Sequence, residues 1–497
     1  MKHIKQLITA GGSSGQETST RFLGPVMVRV VVFSSLSILV AIIVYIWIIS
    51  SGSWTSSTTI DYAQLATAFQ HGRLSLDSKP RPELLALPNP YNPNERHNIR
   101  YPKDFSLYHG KFFLYFGPVP ALFLWVIKLL RPDDIGDNYL AFGFVLGMFI
   151  LQSLLIIKIW KRFFKNIPIW MMSLCILLCG LVTPTPWILS QSRVYEAAST
   201  GGQCFFLVGL YFVVIALDRE SISVGQLGIA GISWVLALGS RVTQIVPIGF
   251  GVVMVVFWVW RKSAQTKLGS KAMMSLMAVG LPLALGMAVL GWYNWARFDS
   301  VFETGYSYQL AGPYLQKYSH VLFSPLYLFP NLYNYLVMPP KISMTFPFLQ
   351  PVEGYGADQL NLPPIYSSGE LTGLLFSAPF VLFAGIPLVS LLSRKRDLND
   401  QVDQENDTFF FKWLLISLLG AFLFGFAPVI TFFFVETRYI ADFMPSLVLL
   451  SIIGFWQGCS FLSHKPVLHK LYVAVGMILM ATSIVVSVLL ALSVHTA

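Results

Sequence analysis

One acid and a few arginines carry the chemistry this sequence offers. Asp61, in TTIDYAQLATAFQHGRLSL, is the first acidic residue after a long uncharged run. It heads a short amphipathic segment with Leu65, Ala68 and Phe69 on one face, where Thr58 or Thr59 can cap the helix. A carboxylate there fits two roles: a first-turn acid interacting with the helix dipole, or a general base beside a membrane surface. Arg193, Arg241 and Arg438 each lie in a short polar turn, SQSRVYEAAST, GSRVTQ and VETRYIAD, with Glu196 and Glu436 close by. Arginines at helix ends can snorkel as anchors. Three on one side of a membrane can instead form an anion site suited to a lipid phosphate. His71, His97 and His109 match no metal-ligand spacing, and no Walker, Rossmann or G-x-S-x-G motif occurs in a suitable context. Cys175, Cys179, Cys204 and Cys459 all fall in apolar runs and read as small buried hydrophobes. No cofactor is expected, and nothing gives a basis for assigning a metal.

These residues must be held by a membrane bundle. The 497 residues are 55% hydrophobic and only 12% charged, about half the charge a soluble surface needs. Soluble enzyme folds and disordered chains are excluded, and long apolar runs argue against a β-barrel. The net charge of +10 suits cytoplasmic loops facing anionic lipid, not nucleic acid. The expected class is an all-α polytopic membrane protein with about 11 spanning helices, near 25–50, 138–157, 168–189, 202–217, 225–239, 242–260, 273–296, 371–392, 413–434, 441–462 and 471–493. Each run approaches the roughly 20 apolar residues a crossing needs.

Two further runs, 112–127 and 318–340, are short or rich in Pro, Tyr and Asn, and are expected as helices lying in or near the interface. With residues 1–24 inside, the basic clusters Lys158–Lys161–Arg162–Lys165, Arg261–Lys262–Lys267–Lys271 and Arg394–Lys395–Arg396–Lys412 all fall inside. Among the short outer turns only Arg193, Arg241 and Arg438 are basic, as positive-inside bias requires. The loops at 51–137 and 297–370 are then both large, outer and equipped with short interfacial helices. Residues 393–412 form a cytoplasmic loop, and no repeat relates the halves.

Several segments, taken together, resemble the GT-C superfamily of integral membrane glycosyltransferases, in particular its bacterial members. These are the lone Asp61 after the first helix; PYNPNERHNIRYPKDFSLYHGKFFLYFGPVPAL (90–122); LALGSRVTQIVP (236–247); WYNWARFDSVFETGYSYQLAG (292–312); and ETRYIADFMPSLVLL (436–450). The resemblance implies a single GT-C-like domain over 1–497 in the plasma (cell inner) membrane, serving the cell envelope. It implies transfer of a hexosyl or pentosyl group, with inversion, from a polyprenyl-phosphate-linked donor to a glycan, lipid or protein acceptor on the extracytoplasmic side. Asp61 would be the base. Arg241, Arg438, Arg193 and Lys111 are the candidates for the donor phosphate. Tyr91, Tyr115, Tyr195, Glu196, Tyr306 and Glu436 are candidates for contacts with sugar or acceptor. The sequence leaves one alternative, a transporter or flippase of a lipid-linked or small substrate. Against it, the charges sit at outer helix ends, whereas transporters place ionisable groups near the midplane.

Overall fold

The computed structural model describes residues 25–50, 59–218, 222–266, 269–392 and 402–495. The N-terminal segment 1–24 lies outside these residues, as do Arg394, Lys395 and Arg396 of the loop expected to be cytoplasmic. Helices of eight residues or more run in order. After α1 (Pro25–Ile49) come α2 (Asp61–Gln70), the hairpin β1 (Phe105–Tyr108) and β2 (Lys111–Leu114), and α3 (Val119–Lys128). There follow α4 (Asp137–Phe163), α5 (Ile169–Leu181), α6 (Val194–Leu217), α7 (Val224–Leu238), α8 (Ile245–Thr266) and α9 (Gly269–Phe298). After a second polar segment carrying α10 (Leu328–Val337) come α11 (Gly385–Leu392), α12 (Val402–Thr431), α13 (Met444–Phe461) and α14 (Pro466–Ser493).

The protein is a multi-pass helical membrane bundle. Among the described residues, eight helices are long and apolar enough to cross a bilayer: α1, α4, α6, α8, α9, α12, α13 and α14. The remaining three expected runs hold shorter pieces. The run at 168–189 is split into α5 and a turn at Thr185–Ser190, with Thr183 and Pro184 between. The run at 225–239 is the 15-residue α7, and 371–392 is divided among Leu374–Ser377, a 3-10 segment at Pro379–Ala384 and α11. Proline explains the two splits, since it removes a backbone donor and clashes with the preceding turn.

Burial separates inner from outer helices. The apolar windows of α6 and α13 are 72% and 83% buried, against 22% for α1, 17% for α9 and 28% for α14. The first pair therefore forms the interior, and the others present valines, leucines and tryptophans outward, as a lipid-facing surface does. The small residues of Ala197-Ala198-Ser199-Thr200-Gly201-Gly202 let α6 pack closely against both α4 and α7. α7 in turn packs on α9, and α8 packs on α12. All four cysteines are buried and unbridged, in keeping with their reading as small hydrophobes.

The run at 112–127 departs from its expected single helix. Its first residues complete a hairpin, with Phe105 opposite Leu114 and Tyr108 opposite Lys111. His109 and Gly110, between the strands, both have positive φ (45° and 69°), the geometry that two-residue hairpin turns favour. Only Val119–Lys128 is helical, and buried Lys128 ties it to α2 through Thr67 Oγ1 (2.5 Å) and to Asp134 (2.5 Å). In the 318–340 run, Asn331 is fully buried. Its Nδ2 donates to the carbonyls of Ile430 (3.0 Å) and Phe432 (2.9 Å), which the end of α12 leaves without helical partners.

At one end of the bundle, Lys158 and Arg162 of α4 pair with Asp218 just beyond α6, and Arg162 also reaches Asp407 of α12 at 2.5 Å. The opposite end carries the two polar segments. There Gly117 passes so close to the α7 terminus that a Cβ would stand 2.1 Å from the Gly239 carbonyl oxygen. The same oxygen accepts from Val119 N at 2.9 Å. This contact seats the hairpin segment against the turn bearing Arg241. Gly117→Ala should therefore destabilise the protein by about 1–3 kcal/mol, the usual cost of overpacking, read as a lowered Tm in detergent. Gly143→Ala, where a Cβ meets nothing within 4 Å, should leave Tm unchanged or raised.

Candidate active site

Asp61 is placed by another carboxylate. The side chain of Asp137, fully buried at the first position of α4, caps the start of α2. Its Oδ2 accepts from Asp61 N (3.0 Å) and from Thr59 Oγ1 (2.5 Å), and its Oδ1 accepts from Tyr62 N (3.2 Å). Asp137 N donates back to the Thr59 carbonyl (2.8 Å). Thr59 Oγ1 also accepts from Val194 N (3.0 Å), the first residue of α6. The expected Thr cap is thus replaced: Thr59 holds the cap and Asp137 supplies it. This cap satisfies the orphan N–H groups at the start of α2.

The Asp61 carboxyl is partly buried, and burial pushes it up from the usual carboxylate range to about 6. It lines a 490 Å³ cavity with Gln64, Lys79, Arg81, Arg100 and the Phe105 and Phe112 rings of the hairpin. The sequence reading missed the three cations, which lie in the middle of the polar segment without a motif around them.

A second cavity, of 380 Å³, takes in the chain just after the hairpin, at Tyr115, Phe116, Gly117 and Pro118. Arg241, Asp442, Tyr115, Tyr306, Tyr439, Tyr293, Asn294 and Arg297 line it, with an apolar wall from Leu290, Val242, Phe323, Val429 and Phe432. Arg241 Nε and Nη2 both reach Asp442 Oδ2 at 2.9 Å. The attraction of Asp442 raises the Arg241 guanidinium above its ordinary value against the opposing effect of burial. The Tyr115 and Tyr306 rings meet edge-on at 6.0 Å. Tyr62, the residue after Asp61, lines neither cavity. It is fully buried, its hydroxyl has no hydrogen-bond partner among the described residues, and it feels the charges of both Asp61 and Arg241.

The other expected residues spread around this frame. Arg438 lies 3.6 Å from Glu196 Oε1 and 4.6 Å over the Tyr195 ring. Arg241 and Arg438 sit over Tyr439, each 5.3 Å from its centroid. These two arginines therefore converge, but neither shares a cavity with Asp61. The Tyr195 hydroxyl donates to Asp104, which also takes a bond from Gln309 Nε2 (3.0 Å). Glu436 is mostly buried, and burial raises its carboxyl although Arg438 opposes the shift. Arg193 is exposed at the N-cap of α6, where its N–H donates to Glu196 (3.0 Å). Lys111 is exposed beside the hairpin turn, and the Tyr91 hydroxyl is taken by the Leu107 carbonyl (2.8 Å). Arg193, Lys111 and Tyr91 line neither cavity.

Among the described residues no group of three or more His, Cys, Asp or Glu gathers as metal ligands do. Sequence reasoning also passed over Asp137, taken as the last loop residue, and over Arg297 and Asp442. Those two stand inside the quoted segments WYNWARF and ETRYIAD.

No protein-family model matches the chain, and no curated protein matches it. Among solved structures it is similar to the oligosaccharyltransferase of Archaeoglobus fulgidus. Against the apo form it is 12% identical with a TM-score of 0.45, over 93% of this chain and 56% of that one. Against the form tethered by a disulfide to an acceptor peptide containing the NVT sequon it is 13% identical with a TM-score of 0.44, over 93% and 55%. The chain thus spans just over half the length of the structures it matches.

Proposed function

We propose that this protein is a membrane glycosyltransferase that moves a sugar from a polyprenyl-phosphate carrier to an acceptor hydroxyl on the extracytoplasmic side of the plasma membrane. The observation that carries the reading is Asp61: a carboxyl raised to about 6, held at a helix start by a second carboxylate, in a cavity with three cations. A base is most effective with a pKa near the working pH.

Asp61 takes the proton of the acceptor hydroxyl as its oxygen bonds to the anomeric carbon. The bond from that carbon to the phosphate oxygen breaks, and its electron pair leaves with the phosphate. One displacement of this kind inverts the anomeric centre. The charge gathering on the phosphate is stabilised by fixed cations, with no metal required. The apolar-walled cavity suits a lipid-borne donor and the polar cavity an acceptor, so transfer requires the two to communicate. Of the arginines and lysine expected at the donor phosphate, Arg241 faces the donor cavity. Arg438 acts behind it, through Tyr439, while Arg193 and Lys111 would act from outside both cavities. Tyr115 and Tyr306 offer ring faces to the sugar, and Tyr195, Glu196 and Glu436 support Arg438. The split runs count as crossings in this reading, giving eleven spans with the polar segments outside.

Three outcomes follow. Asp61→Asn should lower sugar transfer from polyprenyl-phosphate sugars by about a hundredfold to ten-thousandfold; near wild-type turnover in a radiolabel assay would remove the base from this residue. Because the base works ionised, kcat/KM should rise with pH through a midpoint of about 6 and fall about tenfold per unit below it. Reporter fusions at residue 400 and at the C-terminus should land on opposite sides of the membrane. A cytoplasmic signal from both would make one interfacial run a crossing.

The cap is testable apart from catalysis. Asp137→Ala should cost about 1 kcal/mol, typical of a lost N-cap. It should speed hydrogen exchange of the first α2 amides while the amides of α13 stay protected.

A further inference from the structure

The apolar-walled cavity holds an uncompensated charge. Its charged lining consists of Arg241, Asp442 and Arg297. Arg241 and Asp442 neutralise one another, which leaves Arg297. This side chain is 4% exposed. Its Nη1 donates to the Leu114 carbonyl (2.8 Å), its Nη2 to Asn294 Oδ1 (2.9 Å) and its Nε to the Tyr293 carbonyl (3.3 Å). All three acceptors are neutral, and the guanidinium otherwise rests on the Tyr293 and Phe298 rings, 3.9 and 4.6 Å from their centroids. A guanidinium has five N–H donors, so two remain beyond these bonds. Glu303, the carboxylate that acts on Arg297 from a distance, is engaged by the N–H groups of Gly305 (2.7 Å) and Ser307 (3.3 Å). Beside Arg297, the buried Tyr293 hydroxyl has no partner among the described residues. Arg96 is also buried against carbonyls, but it lines no described cavity. Burying a charge without an opposite one costs several kcal/mol, and a cavity at that charge gives the cost a purpose.

We propose that Arg297, with the Tyr293 hydroxyl beside it, is the seat for the phosphate of a lipid carrier, and that it, not the paired Arg241 or Arg438, supplies the net charge that holds the phosphate. The walls decide the source of the phosphate. Val242 and Phe323 are 59% and 54% exposed, so the cavity has an open apolar edge by which an apolar chain can enter beside the guanidinium. The inference rests on the reading of the protein as a user of a lipid-linked donor and assigns the donor's anchoring residue.

The test is equilibrium binding of radiolabelled polyprenyl phosphate, without sugar, to the full-length protein in nanodiscs. Unlabelled polyprenol and inorganic phosphate serve as competitors. Wild type should prefer polyprenyl phosphate over polyprenol, and inorganic phosphate at equal concentration should not displace it. Arg297→Gln should weaken polyprenyl phosphate about tenfold or more, as loss of a charge-assisted hydrogen bond does. Arg297→Lys should fall between, because it keeps the charge but loses the fork. Unchanged affinity in both Arg297 variants overturns the assignment, as does equal affinity for polyprenol. Displacement by inorganic phosphate at equal concentration overturns the lipid source. If Arg297→Gln does not fold, the lysine variant and the phosphate-over-alcohol preference of wild type decide. Arg297-dependent binding without any sugar transfer overturns the glycosyltransferase reading and leaves the seat standing. Transfer with Arg297-independent binding does the reverse.

Discussion

The site hangs on the Asp137 carboxylate. It is the first residue of a spanning helix, yet it bonds to the start of α2, a helix that lies in the polar segment. Through Thr59 the same knot reaches the first N–H of α6, one of the two most buried helices in the bundle. The orientation of Asp61 is therefore referred to two rigid spans and does not depend on the long loop. This matters because a base misplaced by an ångström loses much of its effect. Of the two neighbouring acids, Asp137 accepts from N–H groups and a hydroxyl, and Asp61 faces a cavity with three cations.

The same economy of charge divides the arginines at this end of the bundle. Arg241 has Asp442 and Arg438 has Glu196, so each buried cation is held by a buried anion, and both stand over Tyr439. Such pairs roughly cancel as net charges and contribute mainly by fixing geometry. They join the turn after α7, the start of α6 and the approach to α13, elements far apart in sequence. Arg297 is built differently, against neutral oxygens. The distinction between a structural and a ligand-facing arginine is thus one of counter-charge, which neither exposure nor position at a helix end reveals.

Hydropathy made the bundle legible. All eight long spans lie at runs visible in the sequence, and proline and asparagine content kept 318–340 from being read as a crossing. The hairpin at 105–114 was not legible, because FFLYF has the same apolar character as the helix that follows it and the turn depends on φ > 0 at His109. Asp61 stood out as a lone acid after a span. Asp137 did not, since its partners Thr59, Asp61 and Tyr62 are 78, 76 and 75 residues away and only packing brings them together. Arg297 was hidden for a related reason: the last turn of a spanning helix is where a snorkelling arginine is expected, and its lack of a carboxylate can be seen only in three dimensions.

The two cavities make opposite demands, and the fold meets them with different elements. A lipid-borne group needs apolar walls continuous with the bilayer, and Leu290, Val429 and Phe432, near the ends of α9 and α12, provide them. A proton acceptor of pKa about 6 needs partial burial without immersion in hydrocarbon, where an ionised carboxylate is too costly. The 490 Å³ cavity, formed entirely by residues of the 59–112 segment, meets that need. The cap at Asp137 ties the start of α2, and with it the acid-bearing cavity of the polar segment, to the starts of α4 and α6, so the polar cavity is held to the same bundle whose α9 and α12 ends wall the apolar one.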